Sequence, residues 1–395
     1  VPTVRRYAPG LARREELLDA ARDLFAAEGF GGVSLRGIAA KAGISHASLL
    51  RYFSSKDDLL LALLTRWEDA NRAWYDEHLD LPPEVSVPAL ARRNADVTGY
   101  VELFAALAGE AASSSHPAHE HMRRRYDQLR QVRHGAFAIE RGLIAAWDGL
   151  QVMSLYLDEV DVPAELDAHF ARAGGPRGDL FSEAPAAEAG MAVEVQEALV
   201  PDETGYAPGR ERRAKIIDSA TELFAERGFA STSLSDIASR VGSSKSTLLH
   251  HFGTKDELLT AVVTRRDERV NERIREPLRP RAFLREIVAG ARSDGARPGL
   301  IELYTVLSGE ATALGHPAHG YFKRRFEWVV AHFESVMAML RASGQIDPGR
   351  DPRREARWFV ALWDGLQVQW LYDPEAVDIG AELRSHLEGL LLPAA

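Results

Sequence analysis

The chain has 395 residues, a net charge of −10 and no cysteine. That length accommodates two or more domains with cores of their own, while the lack of cysteine excludes disulfides, thiolate zinc sites and cysteine nucleophiles and fits a cytoplasmic protein. Ala, Leu, Arg and Glu outweigh alternating Val/Ile patterns, which predicts an all-α fold, and no apolar run approaches the ~20 residues that cross a bilayer, so no membrane partner is expected.

Residues 1–10 read as a basic arm, with Arg5, Arg6, Arg13 and Arg14 placed to reach phosphates or a minor groove; a plain solvated terminus fits them as well. From Arg13 to Glu28 the apolar residues Leu17, Leu18, Ala21, Leu24 and Phe25 recur at helical spacing, and Gly29 is expected to end that helix. Ser34 then caps a short helix carrying Leu35, Ile38 and Ala39. Ala42-Gly43 supplies a left-handed stop. Ser45 caps a second short helix whose inner face holds Leu49 and Phe53, leaving His46, Ala47, Ser48 and Arg51 outward. Two helices of seven to nine residues around a glycine turn, with a polar face on the second, predict a helix-turn-helix. Ser54 or Ser55 caps the next helix, which starts near Lys56.

The same pattern returns 199 residues later without a gap: SLRGIAAKAGISHASLLRYF becomes SLSDIASRVGSSKSTLLHHF. Between Tyr7–Leu60 and Tyr206–Leu259 about half of the positions are identical, and the matches fall on core, turn and cap positions. The outward residues differ, with His46, Ala47 and Ser48 in one copy and Lys245, Ser246 and Thr247 in the other. Charge follows the repeat. Residues 1–56 hold nine basic and five acidic residues and residues 205–255 hold eight and five, which leaves −17 on everything else. Two basic heads on an acidic body suit a double-stranded DNA partner.

A leading helix ending LFAAEGF, then SLRGIAAKAGIS, then LLRYFSSKDDLL, resembles the N-terminal DNA-binding domain of the TetR family of bacterial regulators. The second copy, LFAERGF through SSKSTLLHHFGTKDELL, resembles it equally. The resemblance implies that Ser34, Arg36, Ser45, His46, Ala47, Ser48 and Arg51 face DNA, with Tyr52 and Lys56 on phosphate. In the second head it implies the same of Ser233, Ser235, Ser244, Lys245, Ser246, Thr247, His250, His251 and Lys255. Lys245 is suited to guanine O6 and N7. Both copies depart from the family pattern at Leu50 and Leu249, where an aromatic residue is usual, and His251 stands in place of Tyr52 as the weaker phosphate contact.

Beyond each head the sequence stays helical. Residues 56–79 and 255–276 read as long helices, with breaks at Pro82, Pro83 and Pro88 and at Pro277 and Pro280. VELFAALAGEAASSSHPAHEHMRRRY realigns with IELYTVLSGEATALGHPAHGYFKRRF at an offset of 200, and WDGLQV recurs at 147–152 and 363–368 at an offset of 216. The first half is therefore about sixteen residues shorter around 139–143. Either it has lost a loop and a helix start or a segment is missing from the sequence, and the loop-like GQIDPGRDPRREARWF of the second half favours the latter. Residues 171–208, rich in Ala, Gly, Pro and acids, read as a linker able to span over ~100 Å when extended. The expected domains are 1–55 and 209–254 as heads, 56–170 and 255–395 as helical bodies, and 171–208 between them.

The repeated HPAH puts His116 and His119, and His316 and His319, three apart. That spacing suits a metal, but a helix start at each proline is the stronger reading, and no metal or cofactor is expected. No P-loop, GxSxG or paired-carboxylate motif points to catalysis. The resemblance implies bodies that bind a small-molecule effector and carry the dimer interface. Candidate lining residues are Leu103, Phe104, Leu107, Tyr126, Trp147 and Gln151 in the first body. Those in the second are Ile301, Tyr304, Leu307, Phe326, Trp363, Gln367 and Trp370. Plain core packing is the commoner fate of such aromatics. The sequence thus predicts two TetR-like units paired within one chain, a regulator, with a ligand-independent architectural DNA binder and a four-headed dimer of chains as the alternatives.

Overall fold

The computed structural model describes residues 8–393 except 79, 113–115, 117, 132, 135–136, 139–140, 173–174, 184–185, 189–190, 194–206, 228–231, 272–276, 295–297, 313 and 317. The first half runs α1 (Ala8–Gly32), α2 (Leu35–Lys41), α3 (His46–Leu49), α4 (Lys56–Glu77), α5 (Pro83–Ala95), α6 (Tyr100–Glu110), α7 (His119–Gln131), α8 (Arg141–Ser154) and α9 (Val162–Arg172). The second half repeats that order as α10 (Ala207–Arg227), α11 (Leu234–Arg240), α12 (Lys245–Phe252), α13 (Lys255–Asn271), α14 (Pro280–Asp294), α15 (Pro298–Glu310), α16 (His319–Ala342), α17 (Pro352–Tyr372) and α18 (Ile379–Leu390).

Three details differ from the sequence reading. α1 passes Gly29 and ends at Gly32. Pro88 does not break the chain but sits in the middle of α5, where the burial of Val87, Pro88 and Ala91 outweighs the one helix bond its missing N–H leaves unmade. A strand pair absent from the reading, β1 (Arg133–His134) with β2 (Phe137–Ala138), joins α7 to α8. There the halves diverge: α7 has 13 residues and α8 has 14, against 24 in α16 and 21 in α17.

Each head is a three-helix unit whose core is the expected apolar stripe. Leu17, Leu18, Ala21 and Phe25 of α1 pack with Ile38, Ala39, Leu49 and Phe53 and with the start of α4. Ile216, Ile217, Ala220 and Phe224 do the same with Ile237, Ala238, Leu248 and Phe252. Arg14 lies over the Phe53 ring at 5.1 Å and Arg213 over Phe252 at 5.0 Å, closing the two cores alike.

The bodies pack against each other through α8 on α17 and α6 on α15. These contacts are reciprocal. Gly149 lies against the Ala361 backbone and Gly365 against that of Ala145, so closely that a Cβ on either glycine would overlap a carbonyl oxygen. Gly109 meets Thr305 and Val306 in the same way, and Gly309 meets Ala105 and Ala106. Tyr156 donates its hydroxyl to the Ser308 carbonyl at 2.6 Å and Tyr372 to that of Ala108 at 2.8 Å. At each glycine the absent side chain lets two helix backbones touch, and the offsets of 200 and 216 map every contact onto its twin. The two units are thus related by a pseudo-twofold relation, the arrangement an isologous interface has between two identical chains.

The 171–208 segment is not a free span where it is described. Gly178 N–H donates to the carbonyls of Glu388 and Leu391. Leu180 and Val193 are fully buried, and Arg285 binds the Leu180 carbonyl at 2.8 Å. Gln345 donates to the buried Glu188 at 2.7 Å. The few apolar residues in a polar, aperiodic stretch suffice to dock it on the second body.

Candidate DNA interface

Both turns are built by the predicted devices. Ser34 accepts from Gly37 N–H at 3.1 Å and Ser45 from Ser48 N–H at 3.1 Å, while Gly43 takes a φ of 66°. Ser244 accepts from Thr247 N–H at 3.1 Å, Gly242 has a φ of 62°, and Ser233 forms a full capping box with Asp236. The recognition helices differ in length. α12 runs eight residues, whereas α3 has four and continues as tightened turns, with Arg51 N–H and Tyr52 N–H bonded three residues back.

Buried Leu49 and Phe53, with Leu248 and Phe252, fix which side faces out. Ser34, Arg36, Ser45, Ala47, Arg51 and Tyr52 are exposed on the first head, with His46 and Ser48 half-buried. On the second head Ser233, Ser235, Ser244, Lys245, Ser246 and His250 are exposed and Thr247 is half-buried. Arg13, Ile44, Ser48, Arg51 and Tyr52 line a concavity of about 340 Å³ on the first face. Arg5 and Arg6 lie outside the described residues.

The two lysines expected on phosphate are placed differently. Lys56 donates from Nζ to the Val33 carbonyl at 3.1 Å and is half-buried. Lys255 is half-buried too, and burial lowers its pKa, with Asp256 and Glu310 opposing that shift. Each lysine starts the helix that leads from head to body, which turns its stem inward. His251 is also half-buried; burial, His250 and the Arg212 and Arg213 guanidinium groups lower its pKa, which favours a neutral imidazole over a phosphate-pairing cation. Leu50 and Leu249, 42% and 40% exposed, lie on the same outward face as large apolar side chains, a placement the sequence reading did not give them. Their position one residue after a buried leucine, about 100° round the helix, was the available signal.

In the bodies, Leu103, Phe104, Leu107 and Tyr126 are buried in the first core, and Ile301, Tyr304, Leu307 and Phe326 in the second. Gln151 and Gln367 are buried at 5% exposure, while Trp147, Trp363 and Trp370 are half-buried against the larger core. Tyr126 packs on Tyr372 of the other unit at 5.5 Å between centroids, and Phe326 on Tyr156 at 5.3 Å. Burial raises the Asp148 carboxyl to about 6, against the pull of Arg125. The HPAH histidines serve the backbone: His116 Nδ1 accepts from Ala118 N–H at 3.1 Å and His119 Nδ1 meets the Ala111 carbonyl at 2.9 Å, and His316 and His319 repeat both contacts.

Comparison with known proteins agrees with this geometry. The pattern of the bacterial regulatory proteins of the tetR family matches residues 17–63 and again 216–262. The chain is 27% identical over 191 residues to the HTH-type transcriptional regulator UidR of Escherichia coli, a match covering 45% of this chain and 92% of that protein. It is 38% identical over 72 residues to the HTH-type transcriptional activator FasR of Mycolicibacterium smegmatis, covering 18% of this chain and 33% of the other. The solved structure of Salmonella enterica GusR is 26% identical, with a TM-score of 0.40 over 48% of this chain and 99% of that one. The UidR match spans nearly all of that regulator and less than half of this chain, which leaves room for two such units. Among the described residues no helix is long and apolar enough to cross a membrane. With two capped helix-turn-helix heads, two family matches and helical bodies to carry them, the chain belongs to the TetR family as a DNA-binding transcriptional regulator made of two tandem units.

Proposed function

We propose that this regulator is a single-chain pseudo-dimer whose two heads read one imperfect palindrome. The observation that carries the reading is the reciprocity of Gly149 with Ala361 and Gly365 with Ala145, which pairs the units as two subunits would pair. With unlike residues at 46–48 and 245–247, the half-sites differ, and they lie about one helical turn, ~34 Å, apart. The protein acts as a repressor that a small-molecule effector releases from its operator. Two links from body to head support that role. α1 rests on α6, and α4 runs unbroken from head core to body, where Trp67 meets Tyr100 edge-on at 5.0 Å. An effector that prefers one arrangement of α4 and α6 would change the head spacing in proportion to its differential affinity.

The test is selection of bound duplexes from a random pool, followed by the mass of the complex. One 43.6 kDa chain on one imperfect palindrome is expected. Two chains per duplex would point to a four-headed dimer of chains, and no sequence preference to an architectural binder.

A further inference from the structure

The two heads carry different chemistry at the end of the recognition helix. Arg51 and Tyr52 stand there in the first head, and His250 and His251 in the second, where they belong to the last turn of α12. An arginine is cationic and a tyrosine hydroxyl a neutral donor throughout the neutral range, whereas an imidazole changes charge within it. His250 is exposed and His251 half-buried, with ring centroids 5.7 Å apart at 67°. Arg212 and Arg213 act on this pair from α10, Arg213 lying over the Phe252 ring, and Lys245 opens the same helix. In the first head the acids Glu15 and Glu16 pair with Arg14 and Arg13. The second head has Ala214 and Lys215 at those places, so the balancing carboxylates are gone. On α11, Asp236 serves the Ser233 cap and Arg240 lies 3.9 Å from Glu222, while Glu257 of α13 turns its carboxylate toward Gly253. In the free chain, burial and the repulsion of His250, Arg212 and Arg213 hold His251 neutral. A phosphate set against this turn reverses the balance. It adds a negative charge beside the imidazoles, at the helix end where the dipole already favours a cation.

We infer that His250 and His251 are protonation-dependent phosphate contacts, so that the second head closes on its half-site by taking up protons and the first head does not. Acidification then strengthens one half of the complex selectively. Above neutrality the chain is held chiefly through Arg51, Tyr52 and the first half-site, and toward about pH 6 both heads contribute. His46, at the start of α3 where the second head has Lys245, is the first head's own histidine and serves as the internal control. The inference rests on the reading of two unlike heads on one duplex and concerns the DNA backbone rather than the base sequence.

The test measures the affinity of the full chain for a duplex at pH 8 and pH 6 at one ionic strength, with the heat of binding recorded in two buffers of different ionisation enthalpy. The wild-type chain is expected to bind roughly tenfold tighter at the lower pH and to take up about one to two protons on binding. His250→Arg with His251→Tyr gives the second head the first head's pair. This double variant should still bind at pH 8 but lose most of the pH slope and of the proton uptake, which a merely structural role would not move. His46→Ala should keep most of both. Should the double variant fail to fold, His250→Gln, at an exposed position, is expected to lose about half of the uptake. A slope that survives in the double variant, that disappears in His46→Ala, or that the wild-type chain lacks would overturn the inference. Phosphates line every duplex, so a random sequence of the same length serves as well as a selected one. A chain that selects no sequence therefore refutes the operator reading, while its pH slope still decides this one.

Discussion

Gly149 of α8 lies flat against the backbone of Ala361 in α17, with no room for a Cβ between them, and Gly365 meets Ala145 in the same way. Gly149→Ala or Gly365→Ala must push the two helices apart, because the atom in the way is backbone rather than a flexible side chain. We expect each substitution to cost roughly 3 kcal/mol, the upper part of the usual range for overpacking. The two should be equal, and the double variant should lose less than their sum, since one separation relieves both contacts. Thermal unfolding of the three variants checks this; a large loss from one and none from the other would contradict the pseudo-twofold pairing.

Exchanging His46-Ala47-Ser48 for Lys-Ser-Thr gives both heads the same outward residues at those positions. The variant is expected to prefer a more symmetric operator than the parent, with the half-site formerly read by the second head now present twice. Each mismatched base pair should then cost about 1–3 kcal/mol on either side. Duplex selection with the exchanged chain reads this out. An unchanged preference would mean that the first head contributes nothing to reading.

Arg51 and Lys56 should separate cleanly. Arg51 is exposed on the recognition face, so Arg51→Ala is expected to weaken DNA binding and to lower the salt dependence by about one phosphate contact. Lys56 holds the Val33 carbonyl, so Lys56→Met should cost about 1 kcal/mol of stability instead. Binding measured across a salt series, alongside a melting curve, distinguishes the two effects.

Glu310, at the end of α15, is raised from 4.5 to about 7 by burial, with Lys255 opposing. Between those values the folded chain keeps a proton that the unfolded chain releases. Stability from this group therefore falls as pH rises from about 4.5 to about 7, and stays lost above that. The loss is on the order of 3 kcal/mol. Glu310→Gln should be more stable than the parent at pH values above the folded-state pKa and indistinguishable from it near the acid end. Denaturant midpoints at the two extremes test the sign.

The heads were legible in the sequence because their determinants are local. Ser34 and Ser45 cap, Gly43 turns, and Leu49 and Phe53 set the inner face, all within twenty residues. The pairing of the bodies was legible only as a repeat of WDGLQV. Its mechanism was not, because an interior glycine such as Gly149 reads as a helix weakness until the facing backbone is known. Lys56 looked like a phosphate contact for a similar reason: its type and position fit, and only the fold brings the Val33 carbonyl within reach. The docked part of the 171–208 segment was hidden by its composition, since two buried side chains, Leu180 and Val193, leave no periodic trace. Arg125 and Tyr126 of α7 meet Asp148 and Gln151 of α8 only in the fold, and no short window contains all four.

Covalent continuity between α9 and α10, reinforced where Gly178 and Glu188 are fastened to the second body, changes how the molecule responds to dilution. A regulator assembled from separate subunits loses its paired form as its copy number drops. Here the partner of each unit is always present at the effective concentration set by its own tether. The pairing of heads should accordingly be the same in a cell holding a handful of molecules as in a concentrated solution, and occupancy of the operator should scale with the first power of protein concentration rather than the second.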